Sequence, residues 1–305
     1  MTLALLFPGQ GSQYVGMAST LAGREAAAAE VLAVADDTLG FSLSGLMRDG
    51  PDDELTATRN AQPALLTHSV AALRVLGDRG GTPAFAAGHS LGEFSAHVAA
   101  GTIRLEDALR AVRLRGELMF DAGQTRPGTM AALLGLDDQS VQDVCDEVTS
   151  GICVPANFNS AGQVVVSGDV AGVEEAMILA KEAGAKRAIQ LNVSGAFHSP
   201  LMEPAAEGLR AFLDGIEFAD PAFPVISNAT ATPVTTGADA RELLVRQLTS
   251  PVRWAESVGV MTKAGVDRFI EVGAGKVLSA LNRRNAKGTP SIPLGEPDDF
   301  NALEN

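Results

Sequence analysis

Residues 85–100 read FAAGHSLGEFSAHVAA, and the fold turns on how they are read. The run into Gly88 is apolar and strand-like, and the run out of Gly92 has apolar residues at helical spacing. Between them Gly88-His89-Ser90-Leu91-Gly92 has the G-x-S-x-G form of a nucleophile elbow. In such a turn the apical serine is held in a strained backbone with its hydroxyl pushed outward. The glycines at minus two and plus two avoid collisions across the bend. Glycine makes up 32 of the 305 residues, so the pattern alone is not diagnostic; the strand before it and the helix after it are what give it weight. Ser90 also stands at a helix N-terminus, where free N–H groups favour the negative charge that nucleophilic attack creates.

Working outward, 46% hydrophobic and 20% charged residues describe a globular chain long enough for one large domain or two. A formal net charge of -14 argues against nucleic acid and anionic membranes, both of which call for a basic surface. An acidic protein partner would have to find a local basic patch, such as Lys181, Lys186 and Arg187 or Arg283, Arg284 and Lys287. Two cysteines, Cys145 and Cys153, supply neither a disulfide framework nor metal-ligand spacing and fit a reducing cytoplasm. The N-terminus has no basic segment, its apolar run stops at Pro8, and no apolar run reaches membrane-spanning length.

Residues 2–7 read as a first buried strand, followed by the glycine-rich turn Pro8-Gly9-Gln10-Gly11. A dinucleotide fingerprint fails there because Tyr14 occupies the third glycine position. The turn can instead bring the backbone N–H of Gln10 to a site at the carboxyl edge of a sheet. Residues 17–80 are mainly helical, broken at Gly40, Gly50-Pro51 and Gly80-Gly81, with Gln62-Pro63 opening the helix of His68. Residues 105–122 form another helix, with Arg115 at the margin of its apolar stripe and Arg110 on the far side. Residues 127–193 then follow a β-α-β-β-α-β order, with strands at 129–135, 152–158, 163–167 and 187–193. Strand-like runs at 223–228 and 268–272 and a helix at 240–249 resume the α/β pattern. The expected architecture is therefore an α/β, hydrolase-like parallel-sheet core domain, residues 1–126 and 196–305, with an inserted ferredoxin-like small domain, residues 127–195. Gly273-Ala274-Gly275-Lys276 is not a phosphate loop, because Ile270 and Val277 stand where glycine and Ser or Thr would be needed.

Ser90 requires a base. Of four histidines, His89 lies within the elbow, His97 in its helix and His68 on a largely apolar helix, which leaves His198 in the turn-rich segment 193–200. No aspartate stands out as a third member, so a backbone carbonyl is a candidate for orienting the imidazole. A guanidinium beside a buried face needs an anion. For Arg115 that anion is either a protein carboxylate or a substrate carboxylate, and spacing does not choose between them.

Six motifs accumulate along the chain: PGQGSQ at 8–13, GHSLGE at 88–93, RLRGELM at 113–119, GAFHSP at 195–200, QL-x-x-PV-x-W at 247–254 and EVGAGKVL at 271–278. Together, in this order and spacing, they resemble the malonyl-CoA:acyl-carrier-protein transacylase family over nearly the whole chain. The resemblance implies that Ser90 is acylated by malonyl-CoA, with His198 as its base and Arg115 as the partner of the malonyl carboxylate. It further implies an oxyanion hole from the backbone N–H groups of Gln10 and Leu91, and the Gln247 carbonyl as the group that orients His198. Phe197, before the histidine, matches the malonyl-using pattern rather than the methylmalonyl one. Ala274 departs from the family at a turn where proline is common. The expected enzyme is a cytoplasmic monomer that moves malonyl from malonyl-CoA to the phosphopantetheine thiol of an acyl carrier protein, of fatty-acid or polyketide synthesis, without metal or redox cofactor. The alternatives are a serine esterase or thioesterase, which would need no Arg115 clamp and no carrier, and a non-catalytic docking module, which would need neither Ser90 nor His198.

Overall fold

The computed structural model describes residues 2–303. Its centre is the strand Leu3–Phe7 (β1), whose sequence LALLF is buried on both faces. Leu3, Leu5 and Phe7 point into one hydrophobic cluster and Ala4 and Leu6 into another, the two-sided burial of a central parallel strand. Pro83–Gly88 (β2) lies beside it in parallel, with Phe7 opposite Gly88.

The other strands are Gly128–Leu134 (β3), Cys153–Ser160 (β4), Gln163–Asp169 (β5), Arg187–Gln190 (β6), Val225–Ile226 (β7), Pro233–Val234 (β8), Arg268–Val272 (β9) and Ser291–Leu294 (β10). They form two sheets, a six-stranded one in the order β10-β9-β1-β2-β7-β8 and a four-stranded one in the order β4-β5-β3-β6. The large sheet is parallel except for its edge pair β7/β8, and the small one is antiparallel throughout. Helices Asp138–Glu147 and Val170–Glu182 connect the strands of the small sheet, whose order is the ferredoxin-like one. The hydrolase-like core with a small insert anticipated from sequence is the observed fold.

Several element limits differ from expectation. The helix carrying His68 runs Thr58–Leu76 and contains Pro63 in its interior rather than at its start. Pro63 has no N–H for the Arg59 carbonyl, and that carbonyl accepts instead from Arg113 Nη1 at 3.3 Å. β6 ends at Gln190 instead of residue 193, because the chain leaves the small sheet there to cross back to the core. β7 keeps only Val225–Ile226, since Asn228 beyond it is engaged with the elbow. The helix expected over 240–249 is Gly237–Arg246 followed by a tighter turn, Gln247–Thr249.

Helices Thr58–Leu76 and Leu105–Thr125 pack closely against each other, and Thr58–Leu76 also meets β9 of the large sheet. Gly116 allows it: a Cβ there would lie 2.7 Å from both the Thr58 carbonyl and the Arg59 Cα. The approach sets Gln62 against Arg115, the residue before this glycine.

Candidate active site

The elbow joins β2 to the helix Gly92–Ala99. A Cβ on Gly88 would fall 1.8 Å from the Gly92 carbonyl carbon, and one on Gly92 would fall 2.1 Å from the Phe7 carbonyl oxygen. No larger residue fits either place, which is the physical content of the motif. Ser90 has φ of 50°, a left-handed conformation that a non-glycine residue adopts only under constraint. Asn228 supplies part of the constraint: its Oδ1 accepts the Ser90 N–H at 2.7 Å, and its Nδ2 donates to the Gly88 carbonyl at 2.7 Å.

His198 reaches Ser90 from the segment that returns from the small sheet, and it too has a positive φ, 57°. Its Nε2 is 2.8 Å from Ser90 Oγ and its Nδ1 is 2.9 Å from the Gln247 carbonyl oxygen. A carbonyl only accepts, so Nδ1 carries the proton and Nε2 is left bare to accept from the serine hydroxyl. Burial pushes the imidazole pKa down to about 3, and the nearby Arg115 charge acts in the same direction. The imidazole is therefore neutral at physiological pH, the state a general base requires.

Arg115 is 1% exposed and lies within the core, not at its margin as sequence spacing suggested. Nη1 donates to Gln62 Oε1 at 2.7 Å, while Nη2 donates to Gln247 Oε1 at 2.9 Å and to Ser90 Oγ at 3.2 Å. Each of these acceptors is uncharged. Burial pulls the guanidinium pKa down to about 10, with Glu93 opposing, so the group stays charged at neutral pH. The Nε–H has no partner among the described residues. A buried cation bonded to uncharged oxygens keeps its charge available to an anion.

Phe7 and Gly88 face each other in the β1/β2 register, so Gln10 and Leu91, three residues beyond each, emerge at the same carboxyl edge of the sheet. Neither N–H takes part in the turn and loop hydrogen bonds among the described residues. The Gln10 side chain is tied to Thr58 Oγ1 at 3.2 Å. In front of Ser90 lies a cleft of about 360 Å³ between the two sheets, bounded by Gln10, His89, Met119, Met130, Phe197 and His198. Phe197 is 6% exposed and forms part of its wall.

The remaining histidines are occupied or enclosed elsewhere. His89 pairs through Nε2 with Asn159 Oδ1 at 2.8 Å, His68 through Nε2 with the Gly295 carbonyl at 2.9 Å, and His97 is buried in the elbow helix. Lys186, Arg187 and Arg284, drawn from both basic clusters, line one concavity of about 490 Å³. Among the described residues no three His, Cys, Asp or Glu side chains are grouped so as to hold a metal ion, and no helix is long and apolar enough to cross a membrane.

Three residues that the sequence offered without a role belong to this site: Gln62, Glu93 and Asn228. Glu93 is the last residue of GHSLGE, and its motif position was the only signal. Its Oε2 accepts from Gln247 Nε2 at 2.6 Å and from the Asn228 N–H at 3.2 Å. Burial pushes its carboxyl pKa up to about 7.

These buried groups set a pH dependence of stability. Burial holds the pKa values of His97 and His198 at about 3, against an ordinary 6.5, so on acidification the unfolded chain takes up two protons that the folded chain refuses. Glu93 acts oppositely between 4.5 and about 7, where the folded form alone keeps a proton. With His68 and His89 also lowered by desolvation, four histidines outweigh the raised carboxyls of Glu93 and Glu271, so stability is expected to rise with pH between 4.5 and 6.5. Urea midpoints across that interval measure it, and a midpoint that falls with rising pH would contradict the assignment.

A family model described as an acyl transferase domain matches residues 4–293. The chain is 49% identical over 298 residues to the malonyl CoA-acyl carrier protein transacylase of Bacillus subtilis, covering 97% of this chain and 94% of that protein. It is 47% identical over 296 residues to the Escherichia coli K12 protein of the same name, covering 96% of each. Among solved structures, an acyl carrier protein S-malonyltransferase from Vibrio cholerae superposes with a TM-score of 0.96 at 44% identity, covering 99% of this chain and 100% of that one. A malonyl-transacylase in complex with a type II PKS acyl-carrier protein superposes equally, with a TM-score of 0.96 at 44% identity over 100% of both chains.

Proposed function

The chain belongs to the acyl transferase family, and from that premise we propose that Ser90 and His198 carry a malonyl group from malonyl-CoA to the phosphopantetheine thiol of an acyl carrier protein. The observation that carries the reading is Arg115, a charged guanidinium fully enclosed behind the nucleophile and bonded only to uncharged oxygens. The reaction is a ping-pong transfer through a malonyl-serine ester.

In the first half, His198 Nε2 takes the Ser90 proton as Oγ bonds to the thioester carbonyl carbon. The oxyanion that forms accepts from the N–H groups of Gln10 and Leu91. On collapse the C–S bond breaks, and the departing CoA sulfur receives the proton from the imidazolium. In the second half the carrier thiol gives its proton to His198 and attacks the ester, and Ser90 recovers its hydrogen as the malonyl thioester leaves. Throughout, the Gln247 carbonyl holds Nδ1–H and with it the ring orientation. Malonyl-CoA and the carrier are substrates, and the chemistry calls on no metal or redox cofactor. Phe197 narrows the cleft beside His198, in keeping with malonyl over a bulkier methylmalonyl group. We take residues 127–195 as the inserted small domain and 1–126 with 196–305 as the catalytic one. The small sheet's separate hydrophobic cluster supports that division. The same reading carries a cytoplasmic location and makes the basic concavity of Lys186, Arg187 and Arg284 available to the carrier.

An esterase sharing the elbow would have no use for the enclosed guanidinium. Intact-mass analysis after malonyl-CoA, with and without holo carrier protein, tests the transfer. One malonyl adduct is expected, discharged rapidly by the carrier and slowly by water; equal discharge by both would identify a hydrolase. Arg115→Ala is expected to lower the malonyl-to-acetyl transfer ratio by about ten- to hundredfold, since a charge-assisted pair contributes roughly 1.5 to 3 kcal/mol. Equal losses for both acyl groups would remove Arg115 from the carboxylate-binding role.

A further inference from the structure

Arg115 is held differently from most buried arginines, which meet a carboxylate. Gln62, itself 0% exposed, presents Oε1 to Nη1 at 2.7 Å, and Gln247 presents Oε1 to Nη2 at 2.9 Å. The orientation of each amide is set from behind. Gln247 Nε2 donates to Glu93 Oε2 at 2.6 Å and to the Ser90 carbonyl at 3.0 Å, so its oxygen has to face the guanidinium. Gln62 Nε2 is directed at Met119 Sδ, 3.4 Å away. The carboxyl group of this network, that of Glu93, therefore stands one amide removed from Arg115 and forms no direct bond with it.

An amide oxygen orients a guanidinium by its dipole without cancelling the charge, whereas a carboxylate in the same place would cancel it and repel an incoming anion. We propose that Gln62 is a positioning residue that sets selectivity for acyl groups bearing a carboxylate, because its uncharged amide aims Arg115 while leaving the full charge to the substrate. The inference rests on the malonyl-transfer reading and deepens it. Gln62 reaches this position only because Gly116 lets its helix approach that of Arg115.

Gln62→Glu tests it, since the change preserves shape and adds one negative charge. Acylation of Ser90 by malonyl-CoA and by acetyl-CoA is followed by intact mass in single turnover, and KM is measured for each. The malonyl-to-acetyl ratio is expected to fall by about a hundredfold, the size of one charge-assisted pair turned from available to satisfied, with the loss in the KM for malonyl-CoA. Gln62→Met, which removes the acceptor without adding charge, is expected to lower the ratio by about tenfold and decides the matter if the glutamate variant does not fold. A ratio unchanged in the folded variants, or parallel losses for both acyl groups, overturns the proposal. Failure of the unaltered protein to form any malonyl adduct would instead refute the transfer reading itself.

Discussion

Ser90→Ala is expected to leave no malonyl adduct on the protein and to reduce transfer to the carrier by roughly ten-thousandfold or more. The expectation follows from the geometry of the turn. Ser90 lines the cleft, and its Oγ lies within hydrogen-bond reach of a neutral imidazole nitrogen, at 2.8 Å. Alanine keeps the elbow backbone, with its Asn228 clamp on the Ser90 N–H, and removes only the attacking atom. What remains can still bind the thioester and still present the N–H groups of Gln10 and Leu91, so CoA-ester affinity should persist while chemistry stops. An adduct detected in this variant by intact mass would place the nucleophile elsewhere.

His198→Ala is expected to slow both acylation and discharge by about a thousandfold or more, with little change in substrate affinity, because the base acts in the transition states of both halves. Its pH profile is informative as well. With the imidazole pKa lowered to about 3 by burial and by Arg115, the base form persists as the pH falls, and activity limited by this group should be lost only in strong acid. Stopped-flow acylation rates for the unaltered protein should therefore show no acid limb near the ordinary histidine value of 6.5. Glu93, raised to about 7 and one amide from Arg115, can introduce a limb of its own. A limb near 6.5 that survives Glu93→Gln would show that His198 titrates normally and that the enclosed, neutral imidazole is wrong.

Much of this protein is legible in one dimension because its sterics are local. Glycines at 88 and 92 are demanded by contacts within and beside one turn, the unbroken apolar run LALLF marks a strand covered on both faces, and the β-α-β-β-α-β order of 127–193 dictates the small sheet. The serine and the histidine could be singled out by the same logic, one from its turn and the other by elimination among four. Element limits were less legible wherever tertiary contacts replaced local ones. Pro63 sits inside a helix because Arg113 serves the carbonyl it leaves open, and β7 stops where Asn228 is taken by the elbow.

The partners of Arg115 were not legible. Spacing placed the guanidinium near a buried face but left open whether a protein carboxylate neutralises it, since that depends on what a helix 53 residues away and a turn 132 residues away bring to it. The sequence by itself determined the turn, the apolar run of the first strand and the residue types able to perform acyl transfer, all set by interactions among near neighbours. Only the tertiary structure decided that two amides and the Ser90 hydroxyl, and no carboxylate among the described residues, bond the cation, because hydrogen-bond partnership and burial are properties of elements packed together.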